Sequence, residues 1–199
     1  MCADTCANKS VRMICLVLCL FMMTGAIGFA QETTLSDIVV DFTKTKVLFS
    51  TTIKNAFNEK MEDAAKNGIP VTFSFIIVLD ESRKMWPDRE VSEKQATHTM
   101  TYDPLTGKYL VTRSWEKKNH FITASFEEAC DRMCKIEGMR LTRTKKLNKG
   151  SAYVVRAKAK LEKISLPLYL DYVLFFVSFW DVETDWQETS FTYKPDQHK

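Results

Sequence analysis

The sequence predicts an α+β fold that is mainly antiparallel β and sandwich-like, with two or three helices packed on the sheets. Three observations predict it. Runs rich in β-branched and aromatic residues recur along the chain, the strongest being Val71–Asp80 (VTFSFIIVLD). Two gaps between such runs are short and carry turn chemistry, Asp103-Pro104-Leu105-Thr106-Gly107 and Asn148-Lys149-Gly150, and short gaps join antiparallel neighbours. Only two or three segments space their apolar residues as a helix does.

In chain order, Ile38–Val40 and Val47–Phe49 are short β-type runs. Ile53 to Lys66 reads as an amphipathic helix, because Ile53, Phe57, Met61 and Ala64/Ala65 recur at spacings of three and four. Asn67-Gly68 stops it and Pro70 bars its continuation. The strand from Val71 follows. Thr97–Tyr102 and Tyr109–Trp115 form a hairpin across the Asp103–Gly107 turn, with proline early and glycine where a positive φ is needed. Ser125 is an N-cap with Glu128 three residues on, a capping box that starts a helix running to about Ile136 and ending near Gly138. A second hairpin, Met139–Leu147 with Ala152–Leu161, turns at Asn148–Gly150. Pro167 opens an apolar run to Trp180, and Trp186–Tyr193 alternates as a closing strand. The tally is about eight strands and two or three helices.

Ahead of this domain stands a leader. Lys9 and Arg12 precede an uncharged stretch, Met13–Ala30, that closes on Gly28-Phe29-Ala30. A positive start, an apolar centre and small residues at the end describe a secretory signal peptide cut after Ala30. Left uncut, the same 18 uncharged residues reach the lower limit of a membrane anchor. Both readings place a single globular domain, residues 31–199, in the periplasm or cell envelope, anchored to the inner membrane if the leader is retained. Lys9, Arg12 and Asp4 leave with the leader, which takes the formal charge from +3 to +2. Four of the six cysteines leave too, so Cys130 and Cys134 are the only two in the domain and no disulfide scaffold is built. A near-neutral exported domain gives no reason to expect nucleic acid as a partner.

The turn and helix signals together carry a resemblance. In order they are Phe57…Asn67-Gly68-Ile69-Pro70, Trp86-Pro87, Tyr102-Asp103-Pro104-Leu105-Thr106-Gly107-Lys108-Tyr109, Phe126-Glu127-Glu128-Ala129, Leu166-Pro167, Trp180 and Trp186. Over roughly residues 36–193 the chain resembles the bacterial exported family called domain of unknown function 4390. The resemblance implies a small exported protein of Gram-negative bacteria with no assigned activity, and hence no catalytic residues to carry over. Genes of the family often neighbour one for a membrane sensor kinase, which implies such a protein as a partner.

The chemistry-bearing residues are few. Cys130 and Cys134 are one helical turn apart on the face that holds Phe126, Ala129 and Met133. Three readings stand: small buried hydrophobes, a strained disulfide, or half of a redox or metal site. His98, His120 and His198 are the only histidines, and no ligand spacing joins them to the cysteines, so no metal or other cofactor is expected. No glycine-flanked serine or phosphate-cradling glycine loop occurs, and adjacent Glu127 and Glu128 suit a helix N-terminus without a catalytic role. The residues favour a non-enzymatic module.

Charge patterning says more. Between Lys135 and Lys163 stand ten basic residues, including Arg140, Arg143, Lys145, Lys146 and Lys149, against only Glu137 and Glu162. Within this stretch Arg156, Lys158 and Lys160 alternate with Val155, Ala157, Ala159 and Leu161, a strand with one apolar face and one basic ridge. Arg156, Lys158, Lys160, Lys145 and Lys146 are therefore the candidate binding residues, for an anionic membrane surface, an anionic polysaccharide or an acidic envelope protein. The competing reading pairs the ridge with the acidic stretch Asp181, Glu183, Asp185 and Glu188. Leu166–Trp180 (LPLYLDYVLFFVSFW) reads either as buried core or as an aromatic docking patch. Phe- and Tyr-rich segments lining a pocket would instead make a carrier of a small apolar ligand. Oligomeric state leaves no mark in the sequence.

Overall fold

The computed structural model describes residues 32–116, 120–162 and 182–195. The leader and the aromatic run Leu166–Trp180 lie outside the described residues. Nine strands and two helices form among them, in two antiparallel sheets. The first sheet has the order β1 (Thr34–Phe42), β2 (Lys46–Lys54), β7 (Lys135–Arg143). The second has the order β6 (Phe121–Thr123), β5 (Lys108–Arg113), β4 (Arg89–Asp103), β3 (Val71–Glu81), β8 (Ala152–Leu161), β9 (Gln187–Thr192). The fold is an α+β, sandwich-like arrangement.

The alternation read in the sequence produces the core. Phe73, Phe75, Ile77 and Leu79 of β3 face inward, as do Val155, Ala157 and Ala159 of β8 and Ala96, His98 and Met100 of β4. From the other sheet come Val47, Phe49 and Ile53 of β2 with Ile136, Met139 and Leu141 of β7. Helices α1 (Glu59–Lys66) and α2 (Phe126–Cys134) add Met61, Ala64 and Ala65, and Ala129 and Met133. Large fully buried side chains from both sheets thus fill the space between them.

Local signals hold where the physics is local. Ser125 caps α2 by accepting from the Glu128 N–H at 3.2 Å, although the Glu128 carboxylate takes the Thr123 hydroxyl instead of closing the box on the backbone. The β4–β5 hairpin turns where predicted, with Gly107 at φ 66° and the Asp103 carboxylate accepting from Thr106 Oγ1 and the Leu105 N–H.

Three sequence expectations are corrected. The helix does not begin at Ile53: β2 continues to Lys54, Ile53 pairs with Leu35, and α1 starts at Glu59 behind the N-cap Asn58. Ile53 shares the inward parity of Val47 and Phe49, so its three-and-four spacing to Phe57 is a coincidence of two elements. The second helix stops at Cys134 and runs without a loop into β7 at Lys135. Finally, Met139–Leu147 and Ala152–Leu161 are not a hairpin. β7 pairs with β2 in one sheet, and β8 pairs with β3 and β9 in the other. Buried Thr144 and Leu147 carry the chain across, through a short 3-10 turn at Thr144–Lys146.

Candidate functional site

A groove of about 390 Å³ opens where β7 runs alongside β4. It is lined by Ser92, Lys94, Arg140, Leu141, Thr142, Arg143, Lys145 and Lys146. Five of these eight residues are cations and none is a carboxylate.

Each cation is positioned by a specific local cause. On β4 the inward series Met100, His98, Ala96 continues to Lys94 and Ser92, where the core ends and the strand reaches water. On β7 the register with β2 shifts between Leu48↔Arg140 and Val47↔Thr142. This bulge lets Leu141 and Thr142 both turn inward while Arg140 and Arg143 both stay exposed. The Leu141 carbonyl accepts from Ser92 Oγ at 2.8 Å, which ties the strand to β4 across the floor of the groove. The 3-10 turn is pinned by Thr144, whose N–H donates to Thr45 O and whose hydroxyl donates to Lys44 O. Its other two residues, Lys145 and Lys146, are left facing solvent.

Electrostatically the groove is unbalanced. Among the described residues, none of its five cations has a carboxylate within 4 Å, although ten ion pairs form elsewhere. Lys46 of β2 sits directly opposite Arg143, a like-charge cross-strand pair that costs stability. Arginine and lysine here present forked and single N–H donors to whatever anion enters. Ser92 donates its hydroxyl to a backbone carbonyl, and no histidine or carboxylate is among the residues that line the groove, so the chemistry these residues offer is that of charged N–H donors.

The basic ridge is different. Arg156 Nη2 lies 2.7 Å from Asp80, Lys158 Nζ 2.7 Å from Glu183, and Lys160 Nζ 3.8 Å from Glu162. The Arg156 and Lys158 head groups also sit over the Trp186 ring, at 6.0 and 5.2 Å from its centre. The structure therefore separates the five candidate residues. Lys145 and Lys146 join Lys94, Arg140 and Arg143 in a groove that has no carboxylate partner among the described residues, whereas Arg156, Lys158 and Lys160 have acidic neighbours. Lys94 was missed by sequence reading because its own strand shows no basic pattern.

A buried polar ladder braces α2. His98 is fully buried; its Nδ1–H donates to Met133 O at 2.8 Å and its Nε2 accepts from Trp115 Nε1–H at 3.2 Å. Those two bonds assign a neutral ring of one tautomer. Burial lowers its pKa from 6.5 to about 4, outweighing the Met133 bond, with the Arg113 and Arg132 charges adding to the drop. Arg113, itself buried, donates to Arg132 O and pairs with Glu116, which also holds Arg132. Both His98 nitrogens are thus engaged, and His120 is exposed. Cys130 and Cys134 are free thiols on α2, half-buried, and burial pushes both pKa values up, that of Cys134 to about 12. They are poor nucleophiles in this setting. Among the described residues no cluster of three or more His, Cys, Asp or Glu forms a metal site, and no helix is long and apolar enough to cross a membrane.

A second cleft, beside α2, is lined by Phe121, Glu127, Glu128, Asp131 and Arg132. Three of its charges are already satisfied: Glu128 by Thr123, Asp131 by Lys135 at 2.6 Å, and Arg132 by Glu116 and Glu137. The groove is the better candidate.

The family model described as Domain of unknown function (DUF4390) matches residues 30–190, and the chain belongs to that family. No curated protein and no solved structure matches the chain significantly.

Proposed function

We propose that this member of the domain of unknown function 4390 family is a non-enzymatic binding module of the cell envelope, and that its ligand is an anionic group seated in the groove of Lys94, Arg140, Arg143, Lys145 and Lys146. The observation that carries this reading is a groove lined by five cations, none of which has a carboxylate within 4 Å among the described residues. A fold that neutralises its ridge but leaves a like-charge pair at Lys46 and Arg143 is holding repulsion that an incoming anion would relieve. The leader Met13–Ala30 supports the envelope as the place of action, where anionic headgroups and acidic partner surfaces are at hand. The half-buried thiols, held protonated, favour the binding module over a redox protein.

The test is calorimetric titration of the purified protein with inorganic pyrophosphate. Saturable binding is expected, and it should weaken as salt rises. Arg140→Gln with Arg143→Gln removes two charge-assisted contacts, each typically worth about 1.5–3 kcal/mol, and should weaken binding at least tenfold. Lys158→Gln with Lys160→Gln, on the ridge, should leave it unchanged. Equal loss in both double variants, or no binding to the parent protein, refutes the groove as the site.

A further inference from the structure

The β3–β4 turn projects two large apolar side chains into water. Met85 is 91% exposed and Trp86 75% exposed, in the sequence Arg83-Lys84-Met85-Trp86-Pro87. The turn is held at its base. Glu81 pairs with Arg89 across the hairpin at 2.7 Å, the Ser82 N–H donates to Ala152 O, and the Arg83 N–H donates to the Asp88 carboxylate. Neither Arg83 nor Lys84 forms an ion pair among the described residues. An exposed tryptophan and methionine beside two unpaired cations is costly in water and favourable at a bilayer interface, where tryptophan settles at headgroup depth and cations meet lipid phosphate.

The tip and the groove lie at the same end of the fold. Ser92 and Lys94 follow the base residue Arg89 on β4 by three and five positions, at most roughly 17 Å along the strand. Asn148, two residues beyond Lys146, donates to Glu81 at the foot of the tip. At the far end of β4, roughly 45 Å away by strand length, the turn to β5 exposes Leu105 (95%). That turn carries Asp103, whose carboxylate is held below its ordinary pKa by hydrogen bonds from Thr106 and the Leu105 N–H and stays negative. Lys108 lies opposite Asp103 across that turn and offsets its charge. At the tip end Arg83, Lys84 and Arg89 balance Glu81, Asp88 and Glu90, and the five groove cations beside them leave an excess of positive charge that an anionic surface would attract.

We infer that the β3–β4 tip is a membrane-docking element: Met85 and Trp86 enter the interface of an anionic bilayer while Arg83 and Lys84 contact its headgroups, bringing lipid phosphate to the groove. This inference rests on the groove reading above and names the source of its anion. Docking in this orientation needs no spanning segment and no conformational change in the hairpin.

The test uses the full chain with vesicles containing bromine-labelled phosphatidylglycerol, and the Trp86 signal is taken as parent fluorescence minus that of Trp86→Phe. That signal should be quenched on the anionic vesicles. It should not be quenched on zwitterionic phosphatidylcholine vesicles with the same label. Quenching should fade as salt rises from about 0.1 to about 1 M and the Debye length shrinks from about 10 to about 3 Å. Arg83→Gln with Lys84→Gln should weaken quenching-detected docking about fivefold per cation removed, on the order of 25-fold in all. An unquenched Trp86 signal on anionic vesicles that carry the protein overturns the inference, as does equal quenching on zwitterionic lipid. So does a self-association of the protein that Trp86→Asp abolishes. All these changes fall on exposed side chains, and an unchanged melting curve confirms the fold. Pyrophosphate titration of Trp86→Asp separates the two claims. Intact pyrophosphate binding with no quenching discards the tip and keeps the groove, whereas quenching without pyrophosphate binding discards the groove.

Discussion

Acidification should unlock the ladder that holds α2, because His98 is buried in its neutral form. Its pKa is about 4 in the fold against 6.5 when free. A histidine whose folded pKa is depressed contributes stability that is complete above 6.5. That contribution is lost as pH falls through 6.5 towards 4, since only the unfolded chain takes up the proton in that window. The full difference of two to three pKa steps corresponds to about 3 kcal/mol, and about 2 kcal/mol of it should disappear between about pH 7 and about pH 4.5. That is a large share of the stability of a domain this size. The window lies mostly above the carboxylates: Glu81, held down to about 2 by its hydrogen bond from Asn148 and by Arg89, loses its contribution only as pH falls below 4.5. Urea unfolding at the two pH values, followed by far-ultraviolet circular dichroism, measures the effect. His98→Asn supplies the control, since its amide can still donate to Met133 O while carrying no titrating group. His98→Gln serves if the first variant does not fold. The parent should lose about 2 kcal/mol more than either variant over this range, and equal losses would refute the buried neutral ring.

Other expectations follow from the same geometry. Arg156→Gln strips the counter-charge from Asp80, whose side chain is only 7% exposed, and should destabilise the domain by on the order of 1–2 kcal/mol, discounted because Arg156 itself is 48% exposed; urea unfolding checks it. Asp80→Asn with Arg156→Gln should recover part of that loss. Cys130 and Cys134 should remain unmodified by a thiol reagent at neutral pH in the folded protein and react on adding denaturant, as read by peptide mass mapping. Rapid labelling of either thiol in the native state would overturn the protonated, half-buried assignment.

What was legible in the sequence is what neighbouring residues decide. Val71–Asp80 is a strand because of its own composition, Ser125 caps a helix through a residue three positions away, and Asp103–Gly107 turns on its own glycine and carboxylate. The groove depends on pairings that no local window contains. Arg140 and Arg143 are three apart, which in a regular strand places them on opposite faces; only the bulge against β2 brings both outward. Lys94 reaches them from a strand whose sequence partner is β3. The false hairpin arose similarly. Asn148-Lys149-Gly150 is a good turn, and Gly150 does take a positive φ, but the strands on either side belong to different sheets because β7 is claimed by β2 and β8 by β3. The ridge was legible as a pattern, while its neutralisation by Asp80 depended on a strand 76 positions earlier.

The seamless passage from α2 into β7 at Cys134–Lys135 has a mechanical meaning. A loop there would let the strand slide or tilt independently of the helix. Without one, the carbonyls of Arg132 and Met133, clamped by Arg113 and His98, act as the fixed end of a short beam whose other end carries Arg140 and Arg143. Gly138, at φ 66° and donating to Ser50 Oγ, sits at the first of two register shifts along that beam, the second being the bulge between Arg140 and Thr142. The backbone that carries the two arginines is therefore fixed by the fold itself. An anion bound as proposed would have to order only their side chains, not the strand beneath them.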